Sequence, residues 1–311
     1  MKIINSLQTI QADKPCVLAL GTFDGLHRGH MDVIRTAKAY AQKLNLQTAV
    51  FTFSNHPYAC INPNRIPVAL LSESEKQAML AKEGIDILLD IPFDEQLAAL
   101  TQDDFLKLLQ PLQSKCMVVG ENFSYGYEGN GNTDSLRLAG VNYGFDVIIR
   151  PLLTEAGNVI SSTAIRNLIQ AGNLNYANKM LGRTYAVTSY VQHGFARGKT
   201  LGFPTANLYF NRLLVALPPA GVYAVTVTLK SGEKYIGMAN LGVNPTFIDV
   251  TREVLETFIL NFAADIYDQQ ITIGFKKFIR PEKKFSNVDA LIKQIHNDRE
   301  QVEFFFVKAK I

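Results

Sequence analysis

The fold of this chain is decided by the stretch CVLALGTFDGLHRGH, residues 16–30. Its first five residues, ending at Leu20, are apolar and predict a buried strand. The amphipathic residues from about 29 to 44 predict a helix, and a glycine-containing turn separates the two elements. A strand followed by a tight turn and a helix is the first half of a β-α-β unit, from which parallel sheets are built.

The same alternation continues through the first half of the chain. Further strands are predicted at residues 48–53, 85–91, 115–119 and 145–150, and helices at residues 101–110 and 162–170. Ser72 followed by Glu75 has the spacing of a capping box and predicts another helix start. We therefore predict an α/β domain with a parallel sheet and helices on both faces, whose ligands bind beyond the carboxyl ends of the strands.

The pattern changes near residue 182. Strand-like segments punctuated by Gly and Pro are predicted at residues 184–192, 222–229, 234–238, 254–262 and 270–278, and a closing helix at 286–309. This pattern predicts an antiparallel β-barrel with a terminal helix. The length of 311 residues favours two domains, at roughly 100–200 residues per domain, and we place them at 1–181 and 182–311.

The composition excludes several classes of protein. Apolar residues make up 47% and charged residues 19%, which suits a packed globular chain. No apolar run reaches the roughly 18 residues of a membrane span, and the N-terminus turns polar too soon for a secretory signal. The three cysteines form no metal-binding pair, which favours a cytoplasmic location. A net charge of +3 is too small to imply nucleic-acid binding, and the oligomeric state is left open.

His27 and His30 carry the chemistry of residues 16–30. They are three residues apart where the helix begins, so the rings can lie one above the other on its first turn. Backbone N–H groups and the helix dipole favour a phosphate there, and Gly21 and Gly25 allow its close approach. Two imidazoles beside an α-phosphate can stabilise charge that develops on phosphorus. The alternative is a glycine-rich turn whose histidines cap the helix or hold a metal.

Residues 21–30 resemble the HxGH nucleotidylyltransferase superfamily, and more closely the N-terminal module of bacterial bifunctional riboflavin kinase/FAD synthetases. Residues 52–57, 120–126 and 160–166 match further segments of that family in the expected order. The resemblance implies a Rossmann-like nucleotidylyltransferase domain. It also implies that ATP is bound by Gly21, Phe23, Asp24 and Gly25, and that flavin is bound by Asn122 and Phe123.

Residues 160–166 contain a second candidate phosphate site. Ser161, Ser162 and Thr163 bring hydroxyl and N–H groups to a predicted helix N-terminus, and Arg166 lies one turn further on. Such a group can hold the β- and γ-phosphates that leave as pyrophosphate. The alternative is an ordinary capped helix with a surface arginine.

The second half begins with a sequence that superficially resembles a Walker A loop. Only three residues separate Gly194 from Gly198 instead of four, and Pro204 argues against the helix that should follow. Residues 204–207, Pro-Thr-Ala-Asn, instead resemble the riboflavin kinase module. Thr205 and Asn207 project to the same side of an extended segment and offer the oxygen ligands that suit Mg²⁺ bridging ATP phosphates. The alternative for these two residues is a turn after proline.

The phosphates of that ATP are covered, in our interpretation, by Gly198 and Lys199. A kinase that acts on an alcohol also needs a base, and Glu256 lies in a strand-like apolar segment, where partial burial would raise its pKa. By resemblance Glu256 is the catalytic glutamate of the family. The alternative is a strand-edge glutamate that faces water.

The resemblance covers nearly the whole chain and implies two activities. Riboflavin would be phosphorylated by ATP to FMN, and FMN would be adenylylated by a second ATP to FAD with release of pyrophosphate. One alternative is that only FMN adenylyltransferase activity is retained, because Lys199, Phe258 and Asn261 depart from the family pattern. Another is a related enzyme such as a cytidylyltransferase, although the barrel has no place in it. A third is a non-catalytic flavin-binding regulator.

Overall fold

The computed structural model describes residues 1–194, 202–244 and 252–309 of the chain. The chain divides into two units, Met1–Ser162 and Thr163–Ile311. Residues 163–181 are therefore grouped with the second unit, whereas the sequence pattern assigns them to the first. The functional boundary between residues 181 and 182 remains a prediction.

The first unit contains a parallel sheet, as predicted. Its strands are β1 (Lys2–Ile4), β2 (Cys16–Leu20), β3 (Gln47–Phe53), β4 (Ile87–Ile91), β5 (Cys116–Gly120) and β6 (Asp146–Arg150). They lie in the order β1-β4-β3-β2-β5-β6, and every pairing is parallel. From β2 the chain builds the sheet first on the β3 side and then on the β5 side. In open α/β sheets ligands bind where the direction switches, which here is the carboxyl end of β2.

Helices cover both faces of this sheet. They are α1 (Arg28–Leu44), α2 (Tyr58–Ile61), α3 (Glu73–Lys82), α4 (Glu95–Ala98), α5 (Gln102–Leu109) and α6 (Thr133–Tyr143). A small hairpin, β7 (Thr154–Glu155) and β8 (Asn158–Val159), follows β6. Alternate residues of a strand pack into two hydrophobic cores, one on each face of the sheet. Leu18 lies in the core with α5 and α6, and Val17 lies in the core with α1 and α3. Burial on both faces explains why these strands read as continuous apolar runs.

The second unit is an antiparallel, nearly closed barrel, again as predicted. It contains α7 (Ser162–Gln170), α8 (Leu174–Leu181), β9 (Ala186–Tyr190), β10 (Thr205–Phe210), β11 (Gly221–Leu229), β12 (Lys234–Asn244), β13 (Arg252–Ile259), β14 (Gln270–Arg280) and α9 (Val288–Ala309). The strands lie in the order β10-β13-β12-β11-β14-β9. A bridge between Gln192 and Asn207 links the two ends of the sheet and brings the barrel close to closure.

Asn178 explains why α8 packs with the barrel. Its amide nitrogen donates to the carbonyl of Phe275 at 3.1 Å, and its oxygen accepts from the N–H of Tyr185 at 2.6 Å. One side chain thereby satisfies two backbone groups, one on β14 and one just before β9. This ties α8 to the barrel.

The terminal helix α9 lies on the outer face of the barrel. Val302 and Phe306 pack with Val222 and Met238 in one buried cluster. Asp298, only 1% exposed, accepts hydrogen bonds from Arg280 of β14 at 2.7–2.9 Å. The face of β11 and β12 that carries these residues is therefore partly covered by a helix.

Two candidate active sites

The turn between β2 and α1 has an unusual backbone. Phe23, Gly25 and Leu26 have φ values of 43°, 77° and 41°, which lie in the left-handed region. A Cβ atom on Gly25 would lie 2.7 Å from Cδ1 of Leu70, so the close packing there also requires glycine. The hydroxyl of Thr52 donates to the carbonyl of Thr22 at 2.8 Å and fixes the turn to β3. The turn is thus held at the carboxyl end of β2.

The two histidines meet at the first turn of α1. Their rings are stacked, with centroids 3.5 Å apart and planes at 21°. His27 is 5% exposed, and its Nδ1 accepts from the backbone N–H of His30 at 3.3 Å. Because Nδ1 is an acceptor here, the proton of a neutral His27 ring lies on Nε2. His27 therefore caps α1, as the alternative considered above supposed.

The start of α1 is held by neighbouring charges. The guanidinium of Arg28 pairs with Glu155 of the β7–β8 hairpin. Arg150, at the end of β6, donates to both carboxylate oxygens of Asp32 at 2.7 and 3.2 Å. This hydrogen bond raises the pKa of Arg150 above its ordinary value. The histidines therefore sit on a helix end whose position is fixed by the last strand of the sheet.

Ser162 connects the two predicted phosphate-binding segments. Its hydroxyl donates to the carbonyl of Asp24 at 2.7 Å, so it lies against the turn that carries the histidines. That bond uses the single hydroxyl proton, and Ser162 thus positions the segment rather than donating through its hydroxyl. Ser161 is half-buried and Thr163 is exposed. Arg166, on α7 in the second unit, is 8% exposed, which does not fit the alternative of a surface arginine.

The predicted flavin-contacting residues follow β5, the neighbour of β2. Asn122 is exposed, whereas Phe123 is half-buried and its ring is stacked with that of Tyr125, with centroids 5.7 Å apart and planes at 13°. The N–H of Phe123 donates to the carbonyl of Gly120 at 3.0 Å, so the chain turns sharply as it leaves the strand. The loop presents an aromatic side chain at the same edge of the sheet as the histidines.

The barrel brings the kinase candidates together through strand register. Asn207 of β10 pairs with Glu256 of β13, and Glu256 pairs with Asn240 of β12. Residues in register across antiparallel strands lie on the same face, so these three form a row. Thr205 lies two residues from Asn207 in the same strand and therefore shares that face, as predicted. Asn240 is the member of this row that we did not predict.

Glu256 is exposed, so the expectation that its side chain is partly buried is wrong. The reason is its face of the strand: its neighbours Leu255 and Thr257 are fully buried in the barrel interior, whereas Glu256 projects to the outer face. Asn207 and Asn240 flank it there, so its surroundings are polar. Its candidacy as a base rests on this position and on the family resemblance.

Gly198 and Lys199 lie outside the described residues, as does most of the rejected Walker-like stretch. The prediction that these two residues cover the phosphates of ATP in the kinase site therefore stays a prediction.

Comparison with known proteins defines the class of the chain first. A family model described as FAD synthetase matches residues 9–164, and one described as riboflavin kinase matches residues 181–306. The chain thus joins two transferase domains: the first match includes His27 and His30, and the second includes Asn207 and Glu256.

The chain belongs to the family of bifunctional riboflavin kinase/FMN adenylyltransferases. It is 40% identical to such a protein from Listeria monocytogenes over 94% of this chain and 93% of the relative. It is 37% identical to one from Escherichia coli K12 over 98% of both chains. A solved structure described as a macrolide-efflux protein from Streptococcus pneumoniae superposes with a TM-score of 0.88 at 33% identity, covering 97% of this chain and 98% of that one.

These comparisons confirm the family, the fold class and the presence of both enzymatic domains. They support the two-activity prediction rather than the alternative with a single activity. Across the described part of the chain, no helix has the length and apolar character that spanning a membrane requires.

Proposed function

We propose that the barrel transfers the γ-phosphoryl group of ATP to the terminal ribityl hydroxyl of riboflavin, giving FMN and ADP. The α/β unit then joins the FMN phosphate to the α-phosphorus of a second ATP, giving FAD and pyrophosphate. The observation that carries this proposal is the stacked His27–His30 pair on the helix end at the carboxyl end of β2. We further propose that both reactions take place in the cytoplasm.

In the adenylylation step, an FMN phosphate oxygen forms a bond to the α-phosphorus and the bond to the β-phosphate bridging oxygen breaks. Negative charge builds on the α-phosphate oxygens as this happens. The rings of His27 and His30 stabilise that charge. Arg166 holds the departing pyrophosphate together with the backbone N–H groups of residues 161–163.

In the phosphorylation step, Glu256 accepts the proton of the ribityl hydroxyl as its oxygen bonds to the γ-phosphorus and ADP leaves. Asn207 and Asn240, in register on either side of Glu256, orient the hydroxyl and the phosphates. Gly198 and Lys199 cover the same phosphates, and Lys199 provides a positive charge.

Thr205 and Asn207 fit a Mg²⁺ ion by the chemistry of their donor atoms. The amide nitrogen of Asn207 donates to the carbonyl of Thr205 at 3.3 Å, so Oδ1 is the atom of that amide available as a ligand. Amide and hydroxyl oxygens are ligands that Mg²⁺ accepts alongside substrate phosphates. When bound, the ion would neutralise phosphate charge.

A time course of flavin conversion tests the proposal. The purified chain is given ATP and Mg²⁺ with riboflavin in one tube and with FMN in another, and flavins are separated by chromatography. We expect FMN to rise and then yield to FAD in the first tube, and FAD to form directly in the second. FAD from FMN alone would contradict the kinase role of the barrel, and FMN without FAD would contradict the role of His27 and His30. Flavin binding without turnover would favour the regulator.

A further inference from the structure

The loops that follow β3 and β4 are joined by one side chain, that of Asn55. Its amide nitrogen donates to the carbonyl of Phe93 at 2.9 Å, and its oxygen accepts from the N–H of Phe93 at 2.6 Å. The last backbone bond between the two strands' ends runs from the N–H of Ser54 to the carbonyl of Ile91 at 3.0 Å. Asn55 therefore extends the pairing past the strands by imitating a neighbouring peptide group.

A buried ion pair between α3 and β4 fixes the end of β3. Nζ of Lys76, on α3, donates to the carbonyl of Phe53 at 2.6 Å and to Oδ1 of Asp90 at 2.8 Å. Gln77 donates to the other carboxylate oxygen at 3.1 Å. Lys76 is 8% and Asp90 1% exposed, and their partners satisfy both charges. The base of the loop that begins at Ser54 is thus rigid, and Asn55 is the contact that orients its exposed part.

The two loops meet at one end of a continuous aromatic run. Its members, each in ring contact with the next, are Phe93, Phe53, Phe51, Phe105, Tyr125 and Phe123. The three middle members are buried, whereas Phe93, Phe53 and Phe123 are half-buried at the two ends. The run therefore connects the loops after β3 and β4 to the loop after β5 in which the flavin contacts are predicted.

We propose that Asn55 is a positioning residue for FMN. This inference rests on the proposed adenylylation. The isoalloxazine ring is a large planar aromatic group and takes the side of the site where the aromatic run reaches the surface through its half-buried ends. By fixing the backbone of Phe93, Asn55 holds the ring of Phe93 at one of those ends. ATP is bound by the β2–α1 turn and the helix ends, so its binding does not depend on Asn55.

Steady-state kinetics of the full chain test this role. In Asn55→Ala, we expect the KM for FMN to rise about tenfold, because the two hydrogen bonds to the backbone of Phe93 no longer hold the loop. We expect the KM for ATP and the phosphorylation of riboflavin to stay within about twofold of the unmodified chain. Asn142→Ala is the matched control, since Asn142 is exposed on α6, outside the loops after β3, β4 and β5. It should leave all three quantities unchanged.

A double-mutant cycle separates positioning from direct contact. If Asn55 acts through Phe93, then Asn55→Ala and Phe93→Ala each raise the KM for FMN, and the double variant raises it no further than the larger single change. Additive effects, an unchanged KM for FMN, or equal rises in both KM values would overturn the inference. If the unmodified chain formed no FAD from FMN, the proposed function itself would fail, which is a distinguishable result.

Discussion

His27 illustrates at the residue scale how one side chain can serve both the fold and the reaction. Its Nδ1 caps α1 by accepting from the N–H of His30, and the neutral ring consequently carries its proton on Nε2. Stacking of the two rings at 3.5 Å then places the second imidazole beside the first. The spacing of three residues indicated that the rings could lie one above the other, but His27 is the N-cap, with extended backbone, so helix geometry alone does not fix the stacking.

Gly25 is where the turn tolerates a side chain least. An alanine there adopts a left-handed φ, which costs about 1–2 kcal/mol, and its Cβ also meets Leu70. We expect Gly25→Ala to lower the free energy of unfolding by more than this amount and to abolish FAD formation.

Gly144→Ala is the control for that prediction. Gly144 also has a left-handed φ, of 76°, but a Cβ there meets no atom within 4 Å. We expect Gly144→Ala to lower the free energy of unfolding by about 1 kcal/mol and to leave FAD formation intact. Urea unfolding and the FMN tube measure both effects; a Gly25→Ala chain that still forms FAD at the normal rate would show that the turn geometry is dispensable.

The cysteines provide a prediction about reactivity. Burial raises the pKa of the Cys16 thiol to about 11 and that of Cys116 to about 12. Their thiolates are therefore scarce at neutral pH, whereas Cys60 is partly exposed. We expect iodoacetamide at pH 7.5 to label only Cys60 in the folded chain and all three in urea, as counted by mass spectrometry. Rapid labelling of Cys16 or Cys116 in the folded chain would contradict the burial of these two thiols in β2 and β5.

Glu256 shows what residue-level reasoning could not provide. An apolar neighbourhood in the sequence suggested a buried carboxylate, but alternation along β13 sends its apolar neighbours into the barrel and Glu256 outward. Which of the two faces becomes the interior depends on how the sheet curves. That is decided by strands far away in sequence.

At the scale of elements, α1 is tied to α3 by charge. Arg35 donates to both carboxylate oxygens of Glu83 at 2.8 and 3.1 Å, and this hydrogen bonding lowers the pKa of Glu83. A lowered folded-state pKa contributes stability above the unfolded value, about 4.3, and that stability is lost as the pH falls through the folded value. Arg35 is largely exposed, so the effect is small.

We therefore expect Arg35→Gln to reduce the free energy of unfolding by about 0.5 kcal/mol at pH 7, with the difference shrinking below pH 4. Arg137→Gln is the control, because Arg137 faces Asp134 at 3.7 Å with both side chains well exposed. It should show no difference at either pH. If the loss of unfolding free energy in Arg35→Gln grew as the pH fell, the pKa of Glu83 would not be lowered in the folded chain.

Some helices and strands could be predicted from the sequence better than others. The Ser72–Glu75 capping box is present as predicted, and α1 follows its amphipathic pattern. Several elements were missed, among them β1, α6 and the short elements α2, α4, β7 and β8. Strand β1 has three residues, too few for a periodic pattern, and is defined by pairing with β4. Helix α6 leaves Leu138 and Val141 exposed at 70% and 83%, which blurs its apolar stripe.

At the scale of the whole molecule, the sequence predicted two fold classes and the order of their motifs, but not the register that assembles a site. Asn207, Asn240 and Glu256 become neighbours only because β10 and β12 both pair with β13. Local patterns do not specify which strands pair. The same holds for Asn55 and Phe93, whose contact depends on the adjacency of β3 and β4.

The central claim is that this chain carries two separate sites, one for each reaction. Its most direct test compares two variants in the riboflavin and FMN tubes: Glu256→Gln, and His27→Asn combined with His30→Asn, in which asparagine can still cap α1. We expect Glu256→Gln to slow riboflavin phosphorylation by at least about 10²-fold and to convert FMN to FAD normally. The histidine variant should form FMN normally and no FAD. A variant that lost both activities, or neither, would contradict the account.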